Sequence, residues 1–135
     1  MRKAFAVIVV LAALVGAPPL AACGGGAPHQ VPRDTSTLAK AIVGHWKSDQ
    51  DEAFFSATQW SLRHTGSTAV TTFDYQVVSE DMATRSLVLK TYQLSNGAQT
   101  NVQNITFTFK DAALTQLAWG FGQVVHTYVD GQQTP

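Results

Sequence analysis

Residues 102–110 alternate between apolar and polar side chains at nearly every position. Because successive side chains of a β-strand point to opposite faces, this alternation predicts a strand with one packed face and one wet face. A strand of this kind is stable only when its apolar face packs against other strands or a helix. Three large residues form the apolar face: Ile105, Phe107 and Phe109.

Similar segments recur about every ten residues from position 45 onward, a spacing typical of β-sandwiches and β-barrels. The clearest turn between them is Ser95-Asn96-Gly97, because Asn-Gly is a strong hairpin signal. Closing such a sheet also removes the exposed edges that invite aggregation. We therefore predict an all-β fold, a small antiparallel up-and-down β-barrel. The seven predicted strands are 45–48, 53–64, 68–79, 85–94, 102–110, 114–119 and 123–129.

A short helix is predicted in front of the strands. Residues 34–37 offer several N-cap side chains, and Leu38 and Ile42 then fall on one side at helical spacing. Gly44 is a residue typical of a helix C-terminus. We expect about two helical turns over residues 38–43, which would cover one end of the β structure.

The beginning of the chain is typical of an exported protein. Arg2 and Lys3 precede an apolar run over residues 4–17. This run is too short to cross a bilayer comfortably, since a spanning helix needs about 20 apolar residues. A basic start followed by a short apolar run predicts a secretory signal peptide, here residues 1–22. An uncleaved membrane anchor is the less favoured alternative.

Leu20-Ala21-Ala22-Cys23 closely resembles the lipobox of bacterial lipoproteins. The resemblance implies that the sulfur of Cys23 receives a diacylglycerol, that a peptidase removes residues 1–22, and that Cys23 becomes the first residue. A thiolate is the strong nucleophile that thioether formation needs. The resemblance also implies a domain anchored by acyl chains such as palmitate to the cell membrane or outer membrane, outside the cytoplasm. An ordinary signal peptide with an incidental cysteine is the alternative.

Residues 23–33 are rich in glycine and proline and predict a flexible tether, and residues 34–135 form the predicted domain. Cys23 is the only cysteine, so a disulfide within the mature domain is excluded. Without Arg2 and Lys3, seven basic residues face nine acidic ones, a formal net charge of −2. The chain lacks the basic patch of a nucleic-acid-binding protein, so we expect no nucleic-acid partner.

The segment around Gly44-His45-Trp46 resembles the opening of lipocalin-like domains, in which a short helix and a Gly-x-Trp motif precede an up-and-down barrel. The resemblance would extend over residues 38–130. In that family an arginine at the end of the last strand packs over the first-strand tryptophan. Here Asp130 stands near Tyr128 instead, so we expect this closing contact to be absent.

The resemblance and the aromatic content suggest a non-catalytic envelope lipoprotein whose barrel binds a small apolar ligand. Trp46 is most simply a core residue. A protein-interaction module, such as a periplasmic inhibitor or an assembly accessory factor, is the alternative, with Trp119-Gly120-Phe121 as a possible contact loop. Six aromatic residues are the candidate ligand contacts: Trp46, Trp60, Phe73, Tyr75, Phe107 and Phe109.

No motif predicts catalysis, a cofactor or a metal site. His45, His64 and His126 lack the spacing of a zinc site, and His64 is expected to be solvated at a strand end. His45 and His126 lie on the first and last predicted strands, which a closed barrel makes neighbours, so a shared metal site is conceivable. We favour two exposed histidines. Residues 49–52 are acidic and predict a polar turn, because they lack the loop of a calcium site.

Overall fold

A computed structural model describes residues 32–120 and 124–135 of the chain. In these residues each strand pairs antiparallel with the next, and the last strand pairs with the first, so the sheet closes. The predicted all-β barrel with a short preceding helix is confirmed. The elements are α1 (Leu38–Ala41), β1 (Gly44–Lys47), β2 (Asp51–Phe55), β3 (Gln59–His64), β4 (Val70–Asp81), β5 (Ser86–Ser95), β6 (Ala98–Phe109), β7 (Gln116–Trp119) and β8 (His126–Asp130).

Several predictions concern residues outside the described ranges. These are the signal peptide over residues 1–22, the lipobox with Cys23, most of the tether over 23–33, and Phe121. No helix among the described residues is long and apolar enough to cross a membrane.

The described residues form eight strands instead of the predicted seven, because residues 53–64 contain a turn. Ser56 builds this turn between β2 and β3. Its hydroxyl accepts hydrogen bonds from the backbone N–H groups of Thr58 and Gln59, at 3.4 and 3.0 Å. Serine forms such turns more weakly than the glycine, proline and asparagine that mark turns in sequences, which is why the pattern hid it.

The helix is shorter than predicted, with four residues in α1 and Ile42 as its C-cap. The side chain of Thr37 accepts a hydrogen bond from the backbone of Lys40 and so caps the first turn. Leu38, Ala41 and Ile42 are fully buried and belong to the hydrophobic core of the barrel. The helix therefore contributes to the core through its apolar side.

The up-and-down order gives the barrel two ends. The helix end carries α1, the turns β2–β3, β4–β5 and β6–β7, and the C-terminus. The far end carries the turns β1–β2, β3–β4 and β5–β6, the last residue of β7 and the first residue of β8.

Alternation predicts most of the inward-facing residues correctly. Phe107 and Phe109 are buried, and Asn96-Gly97 forms the hairpin turn with φ of 50° and 78°, as a type I′ turn requires. Val77 is an exception, since it alternates in phase with Phe73 and Tyr75 in the sequence and is nevertheless nearly half exposed. The pairing of β4 with β5 shifts register between Val77 and Ser79, and such a bulge re-aims the side chains beside it.

The arginine contact expected to be absent is present, but a different part of the chain supplies it. The guanidinium carbon of Arg33 lies 4.1 Å from the ring centre of Tyr128 and 4.9 Å from that of Trp46. Its Nε donates a hydrogen bond to the carbonyl of Ala41 at 3.1 Å, and its Nη2 donates to the same oxygen. The indole N–H of Trp46 donates to the carbonyl of Ile42 at 2.7 Å. Arg33 thus joins the segment before α1 to the first and last strands.

Candidate functional site

Aromatic rings fill the interior of the barrel around Trp60. The ring of Trp60 stacks on Phe55 at 5.7 Å, and Phe73, Phe107 and Trp119 lie 5.4, 5.4 and 5.8 Å from it. Centroid separations of 4.5–7 Å are those of aromatic rings in direct contact. These side chains therefore pack against one another.

The six aromatic residues predicted as ligand contacts divide between two regions of this interior. Trp46 and Phe109 pack edge to face near the helix end, with ring centres 5.8 Å apart. The other four share the cluster around Trp60, in which Tyr75 joins through Phe55. Only Phe73 of the six is partly exposed. Ligand contact by these residues stays a prediction. Phe73 packs against the hydrophobic core, and the other five belong to it: Trp46, Trp60, Tyr75, Phe107 and Phe109.

Two buried side chains of the barrel interior have polar atoms without hydrogen-bond partners among the described residues. These atoms are Nε1 of Trp60 and both ring nitrogens of His126. Leaving a buried polar group unpaired costs about 1–3 kcal/mol. Trp46 shows the ordinary arrangement, because its indole N–H is satisfied by a carbonyl. The unpaired nitrogens are therefore groups that a ligand could satisfy.

Two partly buried aromatic rings, those of Phe73 and Trp119, pack against these two side chains. The ring of Trp119 stacks on His126 with centres 3.9 Å apart and also contacts Trp60. Partly exposed rings beside a few unsatisfied polar atoms are the kinds of groups that line small-molecule sites. We use the name far-end site for Trp60, His126 and the two partly buried rings that contact them, Phe73 and Trp119.

One carboxylate and one further histidine lie near His126, on the paired strands β2 and β3. Burial lowers the pKa of His126, while the carboxylate of Asp51 and the nearby carbonyls of Val124 and Leu117 act in the opposite direction. Neither carbonyl has the geometry of a hydrogen bond with the ring, so both ring nitrogens count as unpaired. Asp51 itself pairs with Nδ1 of His64 at 2.5 Å, and the His64 side chain is 79% exposed. His64 thus lies at a solvated strand end as predicted, but it is hydrogen-bonded.

The expectation of two exposed barrel histidines is wrong, since both His45 and His126 are buried. They also lie on opposite faces of the barrel wall. His45 precedes the inward-facing Trp46 and stacks on Phe54 at 4.4 Å, outside the core cluster, whereas His126 stacks on the inward-facing Trp119. The two rings therefore do not share a site, and no group of metal-ligating side chains is found among the described residues.

The acidic segment over residues 49–52 is only partly a turn, because β2 begins at Asp51. Glu52 accepts a hydrogen bond from Nε of Arg63 at 2.9 Å on the neighbouring strand. This bond is the main reason that the pKa of Glu52 lies below its usual range. The last two acidic residues thus stabilise strand pairing, a role that the local sequence does not reveal.

Comparisons of the chain with protein-family models, with curated proteins and with solved structures found no match. The assignment of the far-end site therefore rests on the geometry of its residues alone. The aromatic character of Trp60 and Phe73 marks them in the sequence as candidate contacts, but nothing in the sequence marks Trp119 and His126 as their partners. Their stacking depends on the register in which β7 pairs with β8, for which the sequence has no local signal.

Proposed function

We propose that the protein is a non-catalytic cell-envelope lipoprotein, anchored through lipid on Cys23, whose barrel binds a small and largely apolar molecule at the far-end site. The observation that carries the binding proposal is the set of unpaired nitrogens on Trp60 and His126 beside partly buried apolar side chains. The closely packed rings of the interior favour a ligand seated at the far end over one enclosed deep in the barrel.

The expected ligand has an apolar, preferably aromatic body and at least one hydrogen-bond acceptor. The indole N–H of Trp60 can only donate, so it needs an acceptor on the ligand. His126 offers a donor on one ring nitrogen and an acceptor on the other while it is neutral, and burial favours the neutral ring. Flat rings would also extend the stack that Trp119 and His126 begin.

The binding proposal is tested with 8-anilinonaphthalene-1-sulfonate, which combines aromatic rings with an acceptor group. The probe is titrated into the mature chain carrying Cys23→Ser, which cannot be lipidated. Trp60→Phe and His126→Phe keep a ring and remove the unpaired nitrogens, and each should weaken binding about 10-fold if one hydrogen bond of about 1.4 kcal/mol is lost. Trp46→Phe is the matched control, because its N–H already has a partner, and should leave affinity unchanged. Equal affinity in all three variants would refute the proposed site.

The anchor is tested by expressing the full chain in a bacterium that makes lipoproteins. The protein should appear in the membrane fraction, with an intact mass that shows loss of residues 1–22 and addition of a diacylglycerol. Cys23→Ala should move the mature protein into the soluble envelope fraction. An unmodified Cys23 thiol on the purified protein would contradict the anchor and leave the binding test unaffected.

The β5–β6 hairpin favours protein interaction as a second candidate function. β5 pairs with β4 only as far as Tyr92, and no described residue of β7 pairs with β6 before Phe107. The distal half of the hairpin therefore extends beyond the neighbouring strands. The sequence has no charged residue between Lys90 and Lys110. Exposed, uncharged strand edges readily pair with other chains, and natural proteins usually protect them with charge.

Introducing a charge on the hairpin tests whether its exposed strands bind another protein or only contact water. Val102 in β6 and Val129 in β8 are nearly equally exposed, at 49% and 48%. Chemical cross-linking in intact cells should yield one discrete protein adduct, which Val102→Lys abolishes and Val129→Lys retains. Loss of the adduct in both variants, or in neither, would refute the hairpin as the interaction surface.

A further inference from the structure

We propose that two copies of the chain pair through the free edge of β6, with residues 102–106 of one copy antiparallel to the same residues of the other. This inference rests on the interaction role proposed above for the β5–β6 hairpin, and it adds the partner and the register. In this register Asn104 lies on the twofold axis, opposite its own counterpart.

The edge of β6 that faces away from β5 is unpaired over most of its length. β7 pairs only with residues 107–109 of β6, and no other described residue pairs with residues 98–106 on that side. An unpaired strand edge presents N–H and C=O groups that another strand can satisfy. The partner that fits this edge is therefore an extended strand.

Two contacts at the end of β6 fix the direction of its backbone hydrogen bonds. The N–H of Phe109 donates to the residue that precedes β5, whereas the N–H of Lys110 donates to β7, each at 2.9 Å. Successive residues of a strand direct their N–H and C=O groups to opposite neighbours. Residues 103–108 pair with β5 without a register shift. Asn104 and Thr106 therefore direct their backbone groups toward the free edge.

A bulge sets the length of the segment that can pair. Tyr92 of β5 lies opposite both Asn101 and Val102, and Asn101 has a φ of 51°. Bulges bend a strand and interrupt its pairing. In the register centred on Asn104, residue 101 would be opposite residue 107 of the second copy, where β7 begins to occupy the edge. The bend thus falls at the position where pairing between the two copies has to end.

A second free edge in the described part of the barrel is protected, whereas that of β6 is not. β4 extends beyond its pairing with β3, which ends at Asp74. The extension carries Glu80 and Asp81, and the carboxylate of Glu80 is hydrogen-bonded to α1. Charge and cover of this kind prevent edge pairing. The edge of β6 lacks such charges, since the sequence has none between Lys90 and Lys110.

A second copy of the chain supplies an edge with the same properties. In the proposed register Thr106 faces Val102 of the other copy and Asn104 faces its counterpart, so no like charges meet. The amides of the facing asparagines can both donate and accept hydrogen bonds. Because the same surface is used on both copies, the contact is isologous and closes as a twofold dimer. The dimer covers both free edges of β6, so association ends there.

Charges placed at position 104 test both the partner and the register. In Asn104→Lys or Asn104→Glu alone, like charges would face each other across the axis, whereas an equimolar mixture would place opposite charges there. The association constant of the mature chain carrying Cys23→Ser is measured by sedimentation equilibrium. We expect the parent chain to form dimers, each variant alone to associate about 10-fold more weakly, and the mixture to recover the parent affinity. Recovery on mixing also shows that both variants fold. Val129→Lys, on the exposed surface of β8, is the control and should leave association unchanged.

A parent chain that remains monomeric up to its solubility limit, or a mixture that associates no better than its components, would overturn the self-pairing. The cross-linking experiment in intact cells separates this inference from the broader hairpin proposal. An adduct with the mass of two copies supports self-pairing. An adduct with a different protein overturns it and leaves the hairpin as an interaction surface, and the absence of any adduct that Val102→Lys abolishes would overturn both.

Discussion

Replacing Arg33 by methionine should destabilise the barrel far more than its position before the first element suggests. The guanidinium is half-buried over the rings of Tyr128 and Trp46 and donates two hydrogen bonds to the carbonyl of Ala41. A partly desolvated cation–π contact contributes about 1–2 kcal/mol. A hydrogen bond from a charged donor contributes about 1.5–3 kcal/mol.

The cost of burying the charge offsets part of this gain. Burial lowers the pKa of Arg33, while Tyr128 and Asp111 oppose that shift, so the buried cation is only partly compensated. Methionine also retains some of the side-chain packing. We therefore expect Arg33→Met to lower the free energy of unfolding by about 2–3 kcal/mol. Arg33→Lys, which keeps the charge but loses the planar fork of donors, should lose about half as much.

The assay is urea unfolding of the mature chain with Cys23→Ser, followed by tryptophan fluorescence. Lys90→Met is the matched control, because Lys90 lies 5.8 Å from the ring centre of Tyr92 on the barrel surface. It should change the free energy of unfolding by no more than about 0.5 kcal/mol. A loss for Arg33→Met that equals the loss for Lys90→Met would show that Arg33 does not close the barrel.

Three further predictions concern Gly44, the pair Trp46 and Trp60, and His126. Gly44→Ala should cost about 3 kcal/mol or more, because Gly44 has a φ of +131° and an added Cβ would lie 2.6 Å from a backbone oxygen of β8. Gly97→Ala, with positive φ and open space, should cost only about 1 kcal/mol in the same urea assay. Trp46→Phe should cost more stability than Trp60→Phe, since only the first loses a satisfied hydrogen bond, and equal losses would contradict the assignment of unpaired nitrogen. Because the pKa of His126 is lowered in the folded state, the unfolded chain binds the additional proton, so the free energy of unfolding should fall as pH drops below about 6.5. In His126→Phe the free energy of unfolding should fall less with decreasing pH, at pH values above the acidic range in which carboxylates titrate. An unchanged pH profile would contradict the burial of a neutral ring.

Local patterns were sufficient for the strands and their inward faces. Phe107 and Phe109 are buried as their alternation predicts, and Asn96-Gly97 forms the predicted turn. The turn at Ser56 was missed because a serine hydroxyl, and no glycine or proline, organises it. Of the candidate site, sequence analysis found individual aromatic residues but not the partners that surround them.

The sequence by itself determined the class of fold, because the two-residue period of apolar side chains is a property of neighbouring positions. It also predicts the chemistry of Cys23 through the four residues that end there. Only the tertiary structure decided that Arg33 meets Tyr128 and that His126 faces inward on Trp119. Such contacts depend on strand register and barrel closure, which bring together residues that are far apart along the chain. No local sequence pattern indicates which of these distant residues will meet.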